Sequence, residues 1–201
     1  MVNLPSQGTK KMLKIAVLAS GSGTNAQSLA EHFTDSAWGR VEIIVTNNAN
    51  AGVIERAERL NIRTIIFDPS TESNVVLKEL DEKIDIVLLA GYLKMIPASW
   101  TRRFQGRMLN IHPALLPKFG GKGMYGKHVH QAVSEAGETE TGITIHMVNE
   151  HYDEGAIVAQ FKTEVEPGED PESIEAKVRA LEAEYYGPVV EAWIENLSLS
   201  Q

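Results

Sequence analysis

The chain has 201 residues, a formal net charge of −8 and no cysteine. Its length suits a single domain, and a composition with 43% hydrophobic and 23% charged residues disfavours a disordered chain or a fibrous repeat. The acidic charge disfavours a general binder of nucleic acid or of anionic membranes, because both need a basic face. The lack of cysteine excludes disulfides and thiolate ligands, which fits a cytoplasmic protein, and no apolar stretch reaches the roughly 18 residues of a membrane span.

The first half of the chain alternates short apolar runs with helical patterns. Residues 1–12 are expected to form a flexible leader, and residues 13–198 a single domain. The runs are continuous or β-branched, as in parallel strands covered on both faces, and they lie at Ile15–Ala19, Val41–Thr46, Thr64–Phe67, Ile84–Ala90 and Met108–Ile111. Helical patterns lie between them, at Asn25–Phe33, Ala51–Leu60, Ser73–Lys83 and Pro97–Phe104. This order predicts an α/β fold with a doubly wound, mostly parallel sheet and helices on both faces.

The second half of the chain has a different pattern. The glycine-rich segment Pro113–Lys127 is irregular, and segments of this kind after a strand often carry function. Thr141–Val148 and Ala156–Val165 predict mixed or antiparallel strands added at one edge of the sheet. A long helix is predicted from Pro171 to Leu197, with Gly187-Pro188 as a place where it can kink or split.

A glycine-containing loop, Ser20–Asn25, follows the first predicted strand and opens the first helix. Glycines allow a tight turn there, and the free N–H groups of a helix start attract phosphate. A dinucleotide site would need an acidic residue after the second strand, where this chain has Asn47 and Asn48. A phosphate monoester is therefore the simplest ligand, and the alternative is a tight turn with a polar helix cap.

Asn110 and His112 end the fifth predicted strand on the same side, because side chains two residues apart on a strand share a face. An amide beside an imidazole can hold a carbonyl oxygen that becomes an oxyanion, and histidine exchanges protons near neutral pH. For an isolated histidine, a hydrogen-bonded core residue is the competing interpretation. Asp153 lies before Gly155 in what is usually only a turn, and it matters only if the fold brings it to His112.

No group of side chains has the spacing of a metal site. His128 and His130 are two apart, which makes them diverge on a helix, and neither His146 nor His151 has carboxylates at ligand spacing. We therefore expect no metal.

Four segments together resemble the phosphoribosylglycinamide formyltransferases, the folate-dependent enzymes that act on glycinamide ribonucleotide in purine synthesis. They are the Ser20–Asn25 loop, Asp85–Lys94 (DIVLLAGYLK), Leu109–Phe119 (LNIHPALLPKF) and Tyr152–Gly155 (YDEG). The resemblance spans about Lys14 to Leu197. Methionyl-tRNA formyltransferases and formyltetrahydrofolate deformylases share the middle of the pattern but carry an additional domain, which a chain of this length is not expected to hold.

The resemblance implies a role for each matching residue. Asn110, His112 and Asp153 would be catalytic. The ribonucleotide and folate sites would be formed by two further groups, namely Gly23, Thr24, Asn25 and Glu182 for the ribonucleotide, and Leu93, Lys94, Met95, Ile96 and Val148 for the folate.

The implied reaction is transfer of the formyl group of 10-formyltetrahydrofolate, a co-substrate, to the amine of glycinamide ribonucleotide. Asn110 and His112 would stabilise the tetrahedral intermediate, with His112 donating from a protonated ring and Asp153 keeping it charged. Both partners are small molecules, neither nucleic acid nor membrane is expected, and a homodimer is left open. Two other classes also stay open, namely a formyl-folate hydrolase, which needs no phosphate loop, and a nucleotide-binding module without enzymatic activity.

Overall fold

The computed structural model describes residues 11–199 of the chain, with side chains to residue 197. Residues 1–10 of the predicted leader therefore lie outside the described residues. Strands and helices alternate through the first half as predicted. The elements are β1 Leu13–Leu18, α1 Thr24–His32, β2 Gly39–Thr46, α2 Val53–Arg59, β3 Arg63–Ile66, α3 Ser73–Lys83, β4 Ile86–Leu89, α4 Ala98–Arg103, β5 Met108–His112, α5 Lys127–Glu135, β6 Glu140–Met147, β7 Ile157–Glu164 and α6 Pro171–Leu199.

The strands form one seven-stranded sheet in the order β3-β2-β1-β4-β5-β6-β7. The first five strands in this order are parallel, and β6 and β7 are added antiparallel at one edge. The predicted doubly wound sheet with mixed strands at one edge is therefore confirmed.

Helices cover both faces of the sheet, and β1 shows why. Ile15 and Val17 belong to a core that includes residues of α1, α2, α5 and α6, while Ala16 and Leu18 belong to a second core with α3 and α4. All four side chains are fully buried. Because successive residues of a strand point to opposite faces, an unbroken apolar run is what a strand between two helical layers requires.

Two details of the second half differ from the prediction. The last helix is not split, because α6 continues through Pro188 from Pro171 to Leu199. Packing explains this: Val190 is fully buried in the sheet core, and Gly187 lies so close to α1 that a Cβ there would come within 2.7 Å of the His32 ring. Helix α5 was not predicted, because the glycines before Lys127 interrupt the sequence pattern that marks the start of a helix.

The carboxyl ends of the parallel strands meet at one edge of the sheet. β1 lies between β2 and β4, so the chain leaves it at the point where the strand order reverses. In open α/β sheets this is where ligands bind. The loops after β1, β4 and β5 therefore share one opening. A helix with the length and hydropathy of a membrane span is absent from the described residues.

Candidate active site

The loop after β1 forms a turn that only glycine permits. Gly23 has a φ of 79°, and a Cβ on it would lie 2.5 Å from the side chain of Val53. This turn places Thr24 and Asn25 at the start of α1, where no side chain caps the helix, and both residues line the opening. The loop is thus shaped to hold an anion.

Glu182 of α6 faces this loop. The Asn25 side chain donates a hydrogen bond to its carboxylate, with Nδ2 2.9 Å from Oε2. Burial raises the pKa of Glu182 above its ordinary value, and the bond from Asn25 only partly opposes this. A half-buried carboxylate with spare acceptor capacity beside an anion site fits the hydroxyls of a sugar. Arg179, which the sequence did not single out, also lines the cleft here.

Glu182→Gln should increase the stability of the protein at neutral pH. The folded-state pKa of Glu182 is raised, so its charged form costs stability above that pKa, and the cost disappears as the pH falls below the ordinary carboxyl range. Glutamine keeps the acceptor for Asn25 without the charge. Thermal unfolding measured from acid to neutral pH should show a gain that grows with pH. A destabilised variant at every pH would contradict this, and Glu195→Gln, at an exposed position of the same helix, is the control.

Apolar side chains line another part of the opening. Leu93 is 46% exposed and Met95 is 52% exposed, whereas Ile96 is buried beneath them. Ser20 fixes this segment, because its hydroxyl accepts a hydrogen bond from the Leu93 N–H and donates one to Asn47. Asn47 lies after β2, where a dinucleotide site would have an acidic residue, and here its side chain is hydrogen-bonded to Ser20. Exposed apolar side chains on a fixed segment suit a flat aromatic ligand.

The fold brings Asp153 to His112. The Asp153 Oδ2 atom lies 3.6 Å from Nδ1 of His112, and both side chains are largely buried. Burial lowers the pKa of His112 below its ordinary value, although the charge of Asp153 acts to raise it. The expected influence of Asp153 is present, but burial outweighs it. Burial would raise the pKa of Asp153, yet the interactions with His146, His112 and the Gly121 N–H hold it below its ordinary value.

The segment from Phe119 to Gly121 contacts both of these side chains. Nε2 of His112 lies 2.8 Å from the Phe119 carbonyl oxygen, and the Gly121 N–H donates to Asp153 Oδ2 at 2.8 Å. A carbonyl only accepts, so Nε2 of His112 carries a proton. Phe119 and Asp153 both have a φ of 55°, in the left-handed region, so two strained residues meet at this centre.

Asn110 has a partner that the sequence did not indicate. Its Nδ2 atom lies 3.0 Å from Nε2 of His146, because residues 110 and 146 are opposite each other in the β5–β6 pairing. His146 also lies 3.6 Å from Asp153, measured from Nε2 to Oδ1. The alternation of β6 puts His146 on one face of its strand, but only the register of the pairing shows that it meets Asn110.

All twelve predicted site residues line one cleft of about 540 Å³ at the carboxyl edge of the sheet. Three parts therefore belong to a single site. They are the anion loop (Gly23–Asn25), the apolar wall (Leu93, Met95 and Ile96) and the His112 centre (His112 with Asp153). Their individual roles stay predictions. No cluster of three or more potential metal ligands occurs in the described residues, and the expectation of no metal also stays a prediction.

Comparison with known proteins identifies the family. A family model described as formyl transferase matches residues 13–190. The chain belongs to the formyl transferase family. It is 43% identical over 192 residues to a chloroplastic phosphoribosylglycinamide formyltransferase of Arabidopsis thaliana, a match that covers 91% of this chain and 66% of that protein. It is 39% identical over 193 residues to phosphoribosylglycinamide formyltransferase of Haemophilus influenzae, covering 90% of this chain and 87% of that protein.

A solved structure supports the same assignment to the formyl transferase family. Glycinamide ribonucleotide transformylase 1 from Geobacillus kaustophilus superposes with a TM-score of 0.84 at 35% identity, covering 92% of this chain and 100% of that chain. The resemblance to phosphoribosylglycinamide formyltransferases is confirmed. The chain spans about two thirds of the length of the Arabidopsis relative and most of the length of the bacterial one.

Proposed function

We propose that this protein transfers the formyl group of 10-formyltetrahydrofolate to the amine of glycinamide ribonucleotide, in de novo purine synthesis. One observation carries the proposal: the glycine loop after β1, the half-buried carboxylate of Glu182, an apolar segment and a His112–Asp153 pair line the same cleft. In this proposal residues 13–198 act as one formyltransferase domain. A cytoplasmic location and a homodimer stay predictions.

The ribonucleotide is proposed to lie between the loop after β1 and α6. Its phosphate accepts hydrogen bonds from the N–H groups at the start of α1, in the segment Gly23–Asn25. Arg179, which is paired with Glu175, also lines the cleft. Glu182 accepts hydrogen bonds from the ribose hydroxyls. Fixing both ends of the ribonucleotide orients its amine towards His112, which turns a bimolecular encounter into a positioned one.

The folate is proposed to pack on the apolar wall. Leu93, Met95 and Ile96 supply apolar contact, and Val148 lines the same cleft. Lys94 is exposed at the rim, where a cation suits the carboxylates of a folate tail. The folate is a co-substrate in this scheme, since it leaves without its formyl group.

The chemical step forms a bond between the amine nitrogen and the formyl carbon, and then breaks the bond between that carbon and N10 of the folate. One proton moves from the amine to N10, so atoms and charge balance. The formyl oxygen becomes negative in between, and the N–H of Asn110 and the charged ring of His112 stabilise it. Asp153 supports the charge of His112.

The hydrogen bond of His112 sets a condition for this scheme. In the structure its Nε2–H donates to the Phe119 carbonyl. The formyl oxygen must therefore replace that carbonyl as the acceptor. The two glycines after Phe119 give this segment the backbone freedom to move.

Two alternatives make different predictions. A formyl-folate hydrolase would release formate without an amine, and the anion loop would then have no purpose. A nucleotide-binding module would need an acceptor for a ribose after β2, where Asn47 already bonds Ser20. The transferase accounts for both features.

The deciding experiment is a formyl-transfer assay with purified protein and both substrates, together with a reaction that lacks the amine. We expect folate turnover only when glycinamide ribonucleotide is present. Equal turnover without it would favour the hydrolase. Thermal shifts with glycinamide ribonucleotide, NAD and a folate analogue should be positive for the first and third only, and a shift with NAD alone would favour the nucleotide-binding module.

A further inference from the structure

We propose that His146 is a positioning residue, which holds the Asn110 amide in one orientation as a neutral ring protonated on Nδ1. The inference rests on the proposed function and names a residue outside the predicted catalytic group. Three contacts carry it: those of His146 with the Met147 carbonyl, with Asn110 and with Asp153.

The first contact fixes the tautomer of His146. Its Nδ1 atom lies 2.9 Å from the carbonyl oxygen of Met147. Because a carbonyl oxygen only accepts, Nδ1 must carry the proton. In a neutral ring the other nitrogen, Nε2, is then an acceptor.

The second contact lets this tautomer fix the orientation of the Asn110 amide. The Nε2 atom of His146 is 3.0 Å from Nδ2 of the Asn110 amide. An amide nitrogen only donates, so an unprotonated Nε2 selects the orientation in which Nδ2 faces His146. The second hydrogen of Nδ2 then remains free for the formyl oxygen. Donors that are oriented before the reaction stabilise an oxyanion better than donors that must first reorient.

The third contact, with Asp153, does not replace the hydrogen bond between His146 and Asn110. At 3.6 Å, Oδ1 of Asp153 is too far from Nε2 of His146 for a hydrogen bond. Asp153 also has a closer partner in the Gly121 N–H, at 2.8 Å. The hydrogen bond of His146 is thus made to Asn110, and Asp153 does not compete for it.

The backbone around His146 keeps this arrangement in place. The register of the β6–β7 pairing shifts between Ile145 and His146, where β7 contains one extra residue, Val158. Gly155 packs directly on the carbonyl that His146 uses, because a Cβ there would lie 1.6 Å from the Met147 oxygen. His146 itself is 2% exposed. Packing as well as the turn therefore favours glycine at position 155 of the YDEG motif.

The test compares two substitutions of His146 with wild type. His146→Leu removes the acceptor and should lower kcat about tenfold with little change in either KM, less than the roughly 100- to 1,000-fold expected for losing an oxyanion donor outright. His146→Gln places an amide oxygen near the former Nε2 position and should recover most of the lost rate. His128→Leu, an exposed histidine on α5, is the control. A His146→Leu variant with wild-type kcat, or a glutamine variant as slow as the leucine variant, would overturn the proposal.

A double-mutant cycle separates positioning of Asn110 from general support of the site. In an Asn110→Ala background, His146→Leu should cause no further loss of kcat, because its effect passes through the missing amide. An undiminished loss in that background, or a loss that disappears only in an Asp153→Asn background, would overturn the proposal.

The tautomer is measured independently of activity. In the ligand-free full-length protein, the ¹⁵N chemical shifts of the His146 ring should report a protonated Nδ1 and an unprotonated Nε2. A protonated Nε2 would overturn the positioning role even if formyl transfer is observed. Absence of formyl transfer with the predicted tautomer present would count against the proposed function and leave the geometry of Asn110 intact.

Discussion

His112→Ala is expected to lower kcat for formyl transfer roughly 100- to 1,000-fold while the ribonucleotide Kd changes little. The buried ring lies at the end of β5 and bonds the Phe119 carbonyl, whereas the anion loop and Glu182 hold the ribonucleotide elsewhere in the cleft. Removing the ring therefore removes charge stabilisation of the oxyanion but leaves the phosphate and sugar contacts in place. Such a loss belongs to the transition state, so kcat and kcat/KM should fall together.

Steady-state kinetics and isothermal titration with glycinamide ribonucleotide would measure the two effects of His112→Ala separately. His128→Ala, which removes an exposed histidine of α5, provides the control for loss of an imidazole. Equal losses in kcat and in ribonucleotide affinity would mean that His112 only supports the shape of the cleft, and the catalytic proposal would then fail.

Asp153→Asn is expected to lower kcat roughly 100-fold and to move the alkaline limb of the kcat–pH profile to lower pH. The carboxylate of Asp153 acts to raise the pKa of His112, which burial already lowers. Without that charge the pKa of His112 falls further, so the protonated ring is lost at a lower pH. Asparagine suits the test because it tolerates the left-handed φ of 55° at this position and can still accept from the Gly121 N–H.

The same variant should change the acid stability of the protein in a defined direction. The folded-state pKa of Asp153 is lowered, so its contribution to stability is present above the ordinary carboxyl pKa and is lost as the pH falls through the folded value. Asp153→Asn lacks this contribution, and its unfolding free energy should depend less on pH in that acidic range. Glu154→Gln, an exposed neighbour in the same turn, is the control. For the kinetic experiment, an alkaline limb of the kcat–pH profile that does not move in Asp153→Asn would show that Asp153 does not set the protonation of His112.

The order of strands and helices in the first half follows from the local pattern of the sequence. A strand such as β1 must be apolar at every position because it is buried on both faces, and this requirement can be seen without the fold. The Gly23 turn is also local, because a left-handed backbone favours glycine, whereas its close contact with Val53 arises only in the folded chain. Helix α5 could not be recognised in this way, because the glycines before Lys127 break the pattern on which a helix assignment depends.

The arrangement of the site was decided by the tertiary structure. Asn110 and His112 were recognisable as a pair two residues apart, and the resemblance assigned Asp153, but spacing along the chain favoured a simple turn for the YDEG segment. His146 meets Asn110 only because β6 pairs with β5 in one antiparallel register, and a shift by one residue would turn its side chain to the other face. Sequence by itself thus determines which chemical groups are present and which strands are buried. The distances between those groups depend on strand register and loop packing, which arise only when remote segments of the chain meet.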